Sequence, residues 1–522
     1  MAKPATYVAK SSATPLSATA DELIILLFLR LLTVDVLNNR LRVFPTLPEV
    51  DADMTTHSTR MPPTHASSAA RNSVAGRIDA LPASAGLWRF ITLLALGGFF
   101  ELYDLFETGY ISTGLLAAGV FHTGEAGVLG FSDQAAFASA TFLGLFFGAS
   151  LLAPYADRFG RRLTFMCALL WYGLFSLLMA FQQSAEMIIL FRFLVGIGLG
   201  VELVTIDTYL SEWVPSHLRS RAFAYAFFVQ FLSVPAVALM SWWLVPQTVF
   251  GLEGWRWVVI AGALCSLVIW LVRRNLPESA RWLAQQGRYQ AAHEVLSAME
   301  QRCGIPAGPA ILPDDAAAQL PKRGRFREIW APAYRQRTLM LVVMNFFQAI
   351  GFFGFGNWLP ALLSGRGATV THSLLYAFFI TLAYPLGSLI CSRYADKLEN
   401  KWQIVLSSLM TVVFGTLFAF QTQPVLLILC GFLITWSNAW LTFSFHAYQT
   451  EIFPTHIRAR AVGFCYSFSR LSTVFSSILI GVILQYAGTP GVITFIVLSM
   501  LMVMLSVGIY GPKTRGIDLE NI

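Results

Sequence analysis

The chain has 522 residues, of which 56% are hydrophobic, 14% aromatic and only 12% charged, and its formal net charge is +7. A soluble domain is usually about 25% charged. Halving that share, at a mean hydropathy of +0.61, excludes soluble, collagen-like, disordered and disulfide-scaffold classes and makes lipid the solvent. The six cysteines (Cys167, Cys265, Cys303, Cys391, Cys430 and Cys465) have no spacing suited to zinc or to a disulfide framework and read as buried packing residues.

Residues 1–85 come first and are rich in Ser, Thr, Ala and Pro. Their apolar run from Leu23 to Leu32 is too short to span a bilayer. It is interrupted by Arg30 and is not followed by a small-residue cleavage site. Met54 and Met61 leave open a start further downstream. The segment is expected to be a disordered, dispensable extension.

Taking roughly 20 apolar residues per membrane helix, twelve candidate spans lie between Trp88 and Tyr510. Six precede and six follow a polar connection from about Arg273 to Arg337. The predicted fold is an all-α membrane protein with an N-terminal six-helix bundle over 86–273, a cytoplasmic linker over 274–337, a C-terminal six-helix bundle over 338–511 and a cytoplasmic tail over 512–522. With the N-terminus inside, nearly all 36 Lys and Arg residues fall in cytoplasmic segments, and the outer loops hold Arg256 and Arg366. Cationic loops tend to stay cytoplasmic, so the basic balance reports topology and argues against nucleic-acid binding. Both termini are expected in the cytoplasm of a multi-pass protein, and the short loops point to a bacterial inner membrane.

The two halves repeat each other. One fixed offset places Gly148 on Gly387 and Tyr155-Ala156-Asp157 on Tyr394-Ala395-Asp396. Without a gap it also places Tyr209, Glu212, Pro215, His217, Arg219 and Arg221 on Tyr448, Glu451, Pro454, His456, Arg458 and Arg460. So many polar identities in register indicate a duplicated unit, hence two parallel bundles about an axis normal to the membrane, which suits a transporter with a midplane site. Acids and arginines at the cytoplasmic ends of the spans can pair across helices and break when the bundles rock. Asp157, Arg158 and Arg162 with Glu212 and Arg219, and Asp396 with Glu451 and Arg458, are the candidate inner gate; the bland reading is that they anchor topology.

Over about residues 88 to 520 the chain resembles the major facilitator superfamily, in its sugar-porter and organic-ion branch. Asp157, Arg158, Gly160, Arg161 and Arg162 reproduce the DRxGRR loop, with Ala153 where Gly is usual. Glu212–Arg221 and Glu451–Arg460 match the E-x-x-P-x-x-x-R pattern. Pro277-Glu278-Ser279-Ala280-Arg281-Trp282 matches PESxRW, and Gly511 to Glu520 is similar to PETKGxxLE with Lys513 in place of Glu.

Ionisable side chains at membrane depth cost about 2.5–3.5 kcal/mol and are functional candidates. The first span carries Glu101, Asp104 and Glu107 within roughly 120° of arc, so they are expected to share a face turned into the bundle, where protonation can neutralise them. The resemblance implies that Tyr103-Asp104 and Arg192 match the family's proton-coupling pair: Asp104 binds Arg192 when deprotonated and releases it when protonated. Glu101 joins them as a coupling candidate. No cofactor is expected beyond the proton as coupling ion.

For the substrate, Arg470 in the eleventh span offers a permanently charged planar fork to a carboxylate. Its position resembles the anion-recognising arginine of organic-anion members; the bland reading is an ion pair with Glu202 or Asp207. Gln348 matches a sugar-binding glutamine, but Phe347 and Phe353 flank it, and His446 stands where sugar porters carry Trp. Candidate binding residues are therefore Arg470, Gln348, His446, Glu202, Asp207, Phe353 and Asn357. A small organic acid, aromatic rings included, is the favoured cargo, with an organic-cation or drug carrier and a sugar:proton symporter as alternatives. The fifth span, Phe231 to Ala236, lacks the GPxxGG pattern of drug antiporters, which favours uptake. No nucleophile, metal cluster or phosphate loop suggests an enzyme. The expected partners are the substrate and the lipid bilayer, with the protein a monomer.

Overall fold

The structure, a computed structural model, describes residues 73–124, 127–128, 130–152, 155–273, 276–310, 326–394 and 398–514. These are helical apart from turns and one short hairpin, β1 (Thr248–Val249) with β2 (Leu252–Glu253). In chain order the first helices are α1 (Val74–Asp79), α2 (Ala85–Ala117), α3 (Asp133–Phe147, continued as a π-helical turn, Gly148–Leu152), α4 (Tyr155–Phe159), α5 (Arg161–Met179) and α6 (Ala185–Trp213). Next come α7 (Arg219–Phe231), α8 (Ser233–Leu244), α9 (Gly254–Arg273), α10 (Ala280–Gln285) and α11 (Tyr289–Arg302). The remainder are α12 (Pro332–Gly356), α13 (Leu359–Ser364), α14 (Val370–Thr381), α15 (Ala383–Tyr394), α16 (Asn400–Phe420), α17 (Pro424–Glu451) and α18 (Thr455–Tyr510).

Several starts follow local chemistry. The hydroxyls of Ser73, Ser84, Ser184, Ser279 and Thr369 each accept a backbone N–H in the first turn of the helix they precede, which satisfies donors that have no helical partner. Eleven helical segments among the described residues are long and apolar enough to cross a membrane, and the last runs from Arg460 to Tyr510. A continuous helix of 56 residues would be about 84 Å long, far beyond a hydrocarbon core of about 30 Å. The segment is in fact broken at Gly488, with φ 62° and ψ −167°, two residues before Pro490. Glycine alone adopts that backbone readily, and the break divides α18 into two arms.

Before the linker, α2 packs on α6, α7, α8 and α9, and α6 on α3 and α5; after it, α12 and α16 pack on α18, and α17 on α15 and α16. The two sets meet where α3 lies against α18 and where α7 and α8 lie against α15 and α14. At one point the approach is backbone on backbone, because a Cβ at Gly109 of α2 would lie 1.7 Å from the carbonyl oxygen of Asn357. Gly109→Val is therefore expected to hold the ends of α2 and α12 apart, read as a lengthened distance between spin labels on the two helices.

Two sequence expectations are corrected. Residues 73–85 do not belong to a disordered extension: they form a capped helix and its connection to α2, and Arg77 within them is 3% exposed, held by the linker. The rest of the extension lies outside the described residues. Cys167, expected to be buried, is exposed, on a helix long and apolar enough to cross a membrane.

Candidate functional site

The three carboxylates of α2 are all buried, as their common arc implied, but they reach different neighbours. Asp104 meets Arg192 of α6, with Arg192 Nη1 donating to Asp104 Oδ1 at 2.5 Å. Arg192 Nη2 also donates to the Asp104 carbonyl and, at 2.5 Å, to Thr108 Oγ1, while Nε donates to Thr141 Oγ1 at 3.1 Å. The second oxygen of Asp104 accepts from Ser176 Oγ of α5 at 3.1 Å. Arg192 is fully buried, and its guanidinium lies 5.5 Å from the centre of the Phe137 ring. Every charged atom of the pair thus has a partner, which is the condition for tolerating two charges out of water. Glu107 makes no hydrogen bond to this pair, and its Oε1 lacks a hydrogen-bond partner among the described residues.

Glu101 opens on a cavity of about 80 Å³ between the two sets of helices. Its polar lining is Glu101, Asp207, Gln230, Thr442, His446 and Arg470, and its apolar lining includes Phe227, Phe231, Phe352, Phe353 and Tyr466. Arg470 is 5% exposed; Nη2 donates to the Tyr466 hydroxyl at 3.1 Å, and the guanidinium lies 5.1 Å from the centre of that ring. His446 stacks on Phe445 at 4.3 Å and lies 5.9 Å from Phe227 across the cavity. Phe352 and Phe353 touch edge to face at 4.9 Å, and Phe352 continues to Phe231 and Tyr384, an offset geometry that adds to area burial. The cavity therefore offers one guanidinium, two carboxyl groups, one imidazole and a wall of rings.

Of the binding candidates, the structure brings Arg470, His446, Asp207 and Phe353 to this cavity. Gln348 and Asn357 are buried in or just after α12 and are not among its lining residues. Glu202 is fully buried and faces Arg273 of α9 instead, at 3.9 Å.

At the end of the molecule that carries the linker helices, Glu212 accepts from Arg161, at 3.3 Å from Nε and 3.1 Å from Nη2. Arg161, rather than Arg158 or Arg162, is the partner because it is the buried member of the DRxGRR loop, whereas Arg158, Arg162 and Arg219 are exposed. Glu278 caps the start of α5 by accepting from the backbone N–H of Arg161 at 3.0 Å and of Arg162 at 3.2 Å. Burial pushes the Glu278 carboxyl above its ordinary range, against those backbone donors, which lower it. Gly160 is required here, since its φ is +104° and a Cβ would lie 2.4 Å from Glu278 Oε2.

The second half repeats the corner with changed chemistry. Glu451 accepts from Asn400 Nδ2 at 3.0 and 3.1 Å and from Thr514 Oγ1 at 2.7 Å. The offset that aligns Glu212 with Glu451 aligns Arg161 with Asn400. Tyr209 donates to the Pro277 carbonyl, and its counterpart Tyr448 donates to that of Pro512 at 2.8 Å. Arg458 Nε donates to the Phe453 carbonyl at 3.1 Å. The side chain of Asp157 and all of Asp396 lie outside the described residues.

A family model described as sugar (and other) transporter matches residues 90–522. The chain belongs to this family of the major facilitator superfamily. It is similar to YyaJ of Bacillus subtilis, described as a metabolite transport protein, with 30% identity over 448 residues covering 85% of this chain and 96% of that one. The niacin transporter NiaP of Acinetobacter baylyi is 27% identical, covering 85% and 98%. The 4-hydroxybenzoate transporter PcaK of Pseudomonas aeruginosa is 27% identical, covering 77% and 88%. In fold, the transporter matches the partially occluded inward open conformation of the xylose transporter XylE from E. coli, with TM-score 0.67 and 17% identity over 83% of this chain and 100% of that one. It is a multi-pass integral membrane protein and not an enzyme.

Sequence reasoning missed several residues that build the transporter's interior. Thr108, Thr141 and Ser176 complete the Asp104–Arg192 pair, yet single hydroxyls in apolar spans carry no signal that separates them from packing. Gln230 and Phe227 of α7 line the cavity; a polar residue inside the fifth span was the available clue. Arg273 counted as a loop cation closing the sixth span, and its position as the last residue of a helix concealed that it turns inward.

Proposed function

We propose that the protein imports a small organic acid, an aromatic carboxylate in particular, together with protons across a bacterial inner membrane. The observation that carries the reading is Arg470, buried, braced by Tyr466 and set among aromatic rings in the cavity where the two sets of helices meet. A planar guanidinium matches a carboxylate, and rings on both sides match a flat apolar body. The relatives that transport niacin and 4-hydroxybenzoate support this class of cargo.

Twelve spans are counted when the arms of α18 are taken separately, in bundles over 86–273 and 338–511 joined by the linker over 274–337. Both termini are then cytoplasmic and the protein works as a monomer. At about 80 Å³ the cavity is well below the roughly 300–1,000 Å³ of ligand pockets, so a substrate enters by separation of the halves, as alternating access requires. The Arg161–Glu212 and Asn400–Glu451 corners, with the neighbouring Arg158, Arg162, Arg219 and Arg458, act as the inner gate. Proton coupling is assigned to Asp104 and Arg192, with Glu101 reporting it to the cavity; no other cofactor is involved.

A second reading, an organic-cation carrier, is favoured by Glu101 and Asp207 on the same cavity. Ligand-induced thermal stabilisation of the purified protein separates the two. Nicotinate and 4-hydroxybenzoate are expected to raise the unfolding temperature, quaternary ammonium compounds and sugars are not, and Arg470→Ala is expected to lose the response to acids by tenfold or more in apparent affinity. Stabilisation by cations that survives Arg470→Ala would establish the second reading instead.

A further inference from the structure

The first half holds a second ion pair that the mechanism above does not use. Arg273 is fully buried; its guanidinium donates to the carbonyls of Leu93 and Leu94 in α2 and lies 4.5 Å from the centre of the Phe165 ring. It fits because residue 97 is glycine: a Cβ there would lie 2.0 Å from Arg273 Nη1. Glu202 of α6 faces it, but the contact is loose, 3.9 Å from Nη1 to Oε1. Both carboxyl oxygens of Glu202 and Arg273 Nη1 are buried without a hydrogen-bond partner among the described residues.

The contrast with Asp104 is informative. There each oxygen has a donor and each nitrogen of the arginine has an acceptor. A carboxyl group at full burial with one long ionic contact and the Tyr172 hydroxyl as its other facing donor sits between two settled states: protonated, it needs no counter-charge; ionised, it would draw Nη1 in to hydrogen-bonding distance. Ionisable residues inside the membrane are rare and mark ion pathways and proton relays in transporters. The titratable groups facing Glu202 are Glu101 and Asp104 from α2, Tyr172 from α5 and Arg273 from α9. Glu101 among them also lines the cavity, so charge on Glu202 is felt at the substrate site.

We propose that Glu202 is a second proton-binding site, switched by exchange of its ion pair with Arg273 for the neutral acid and linked to the cavity through Glu101. The step is proton binding alone: a proton from water joins the Glu202 carboxylate, and the same proton leaves on the other side of the membrane. This rests on the proton-coupled reading. It adds one proton per cycle, so that import of a monoanion with two protons moves one net positive charge inward, whereas import with one proton is electroneutral.

Two measurements test it. The first needs no substrate: infrared difference spectra of the purified protein in nanodiscs, recorded through a pH titration, are expected to show a protonated-carboxyl band that Glu202→Gln removes and that Glu202→Asp, which keeps the acid, only shifts. The second uses radiolabelled nicotinate and 4-hydroxybenzoate in proteoliposomes. The unmodified protein is expected to accumulate the acid under either an inward pH gradient or an inside-negative potential. Glu202→Gln should respond to the pH gradient alone, with counterflow exchange intact. Identical spectra for the unmodified protein and Glu202→Gln overturn the proposal, as does a variant that keeps its response to potential. If the band behaves as expected but the unmodified protein accumulates neither acid, the site stands and the organic-acid reading fails.

Discussion

Arg192→Ala is expected to destabilise the transporter by about 3–5 kcal/mol, the usual consequence of removing one member of a buried ion pair. The reason lies in what is left behind. Asp104 would keep one donor, Ser176 Oγ, while the oxygen that had been 2.5 Å from Arg192 would face an empty volume between α2, α3 and α6. Thermal unfolding followed by tryptophan fluorescence should show a clear loss of melting temperature, and the double variant Arg192→Ala with Asp104→Ala should regain part of it, because the orphaned charge is gone. A double variant no better than the single would mean that packing, not charge, dominates the site. Asp104→Asn separates function from fold: it retains the shape of the side chain and an oxygen for Arg192, so exchange of labelled for unlabelled substrate should continue while uphill accumulation driven by a pH gradient falls at least tenfold.

The second large effect is expected outside the membrane. Arg77 of α1 donates to Glu300 at 2.9 and 2.6 Å, to the Pro309 carbonyl at 2.8 Å and to Ser297 Oγ at 3.1 Å, and its Nη1 lies 3.0 Å from His293 Nδ1. Glu300 Oε2 also accepts from the Gly308 N–H at 2.8 Å. One side chain therefore ties the segment before the first span to α11 and to the chain that follows it, with both charges nearly inaccessible. Arg77→Ala is expected to cost about 3–5 kcal/mol locally, seen as loss of amide protection over residues 289–310 in hydrogen exchange. Protection in α2 should be unaffected. Arg77→Lys, which keeps charge but cannot form the fork, should give an intermediate loss.

The spans and the internal repeat were legible in the chain because each rests on a strong local signal, an apolar run and a string of polar identities; Asp104 and Arg192 stood out as charges inside lipid, but that they meet was implied only by the resemblance to the family. Which arginine of the DRxGRR loop meets Glu212 was not legible, because Arg161 and Arg162 are adjacent and differ in which way they leave the start of α5. The fate of Glu202 was not legible either. Its partner is the last residue of a helix, counted with the loop cations that set topology, and what lets it turn inward is the missing side chain of Gly97. Arg77 stayed hidden in a polar stretch whose composition resembles disorder, since a single buried guanidinium hardly alters the texture of its surroundings. For the cavity, residue types predicted Arg470, His446, Asp207 and Phe353, whereas Gln348 and Asn357 lie on α12 or at its end in positions turned away from it.

The two corners at Glu212 and Glu451 differ in one respect that reaches beyond gating. The first is held by a guanidinium and the second by an amide, and both side chains of the first pair are largely withdrawn from water, where mobile ions screen least. Raising salt would then leave the order in which the two sides open unchanged. Exchanging the two residues within a single chain, Arg161→Asn together with Asn400→Arg, would move the ionic corner from one side to the other while composition and net charge stay constant.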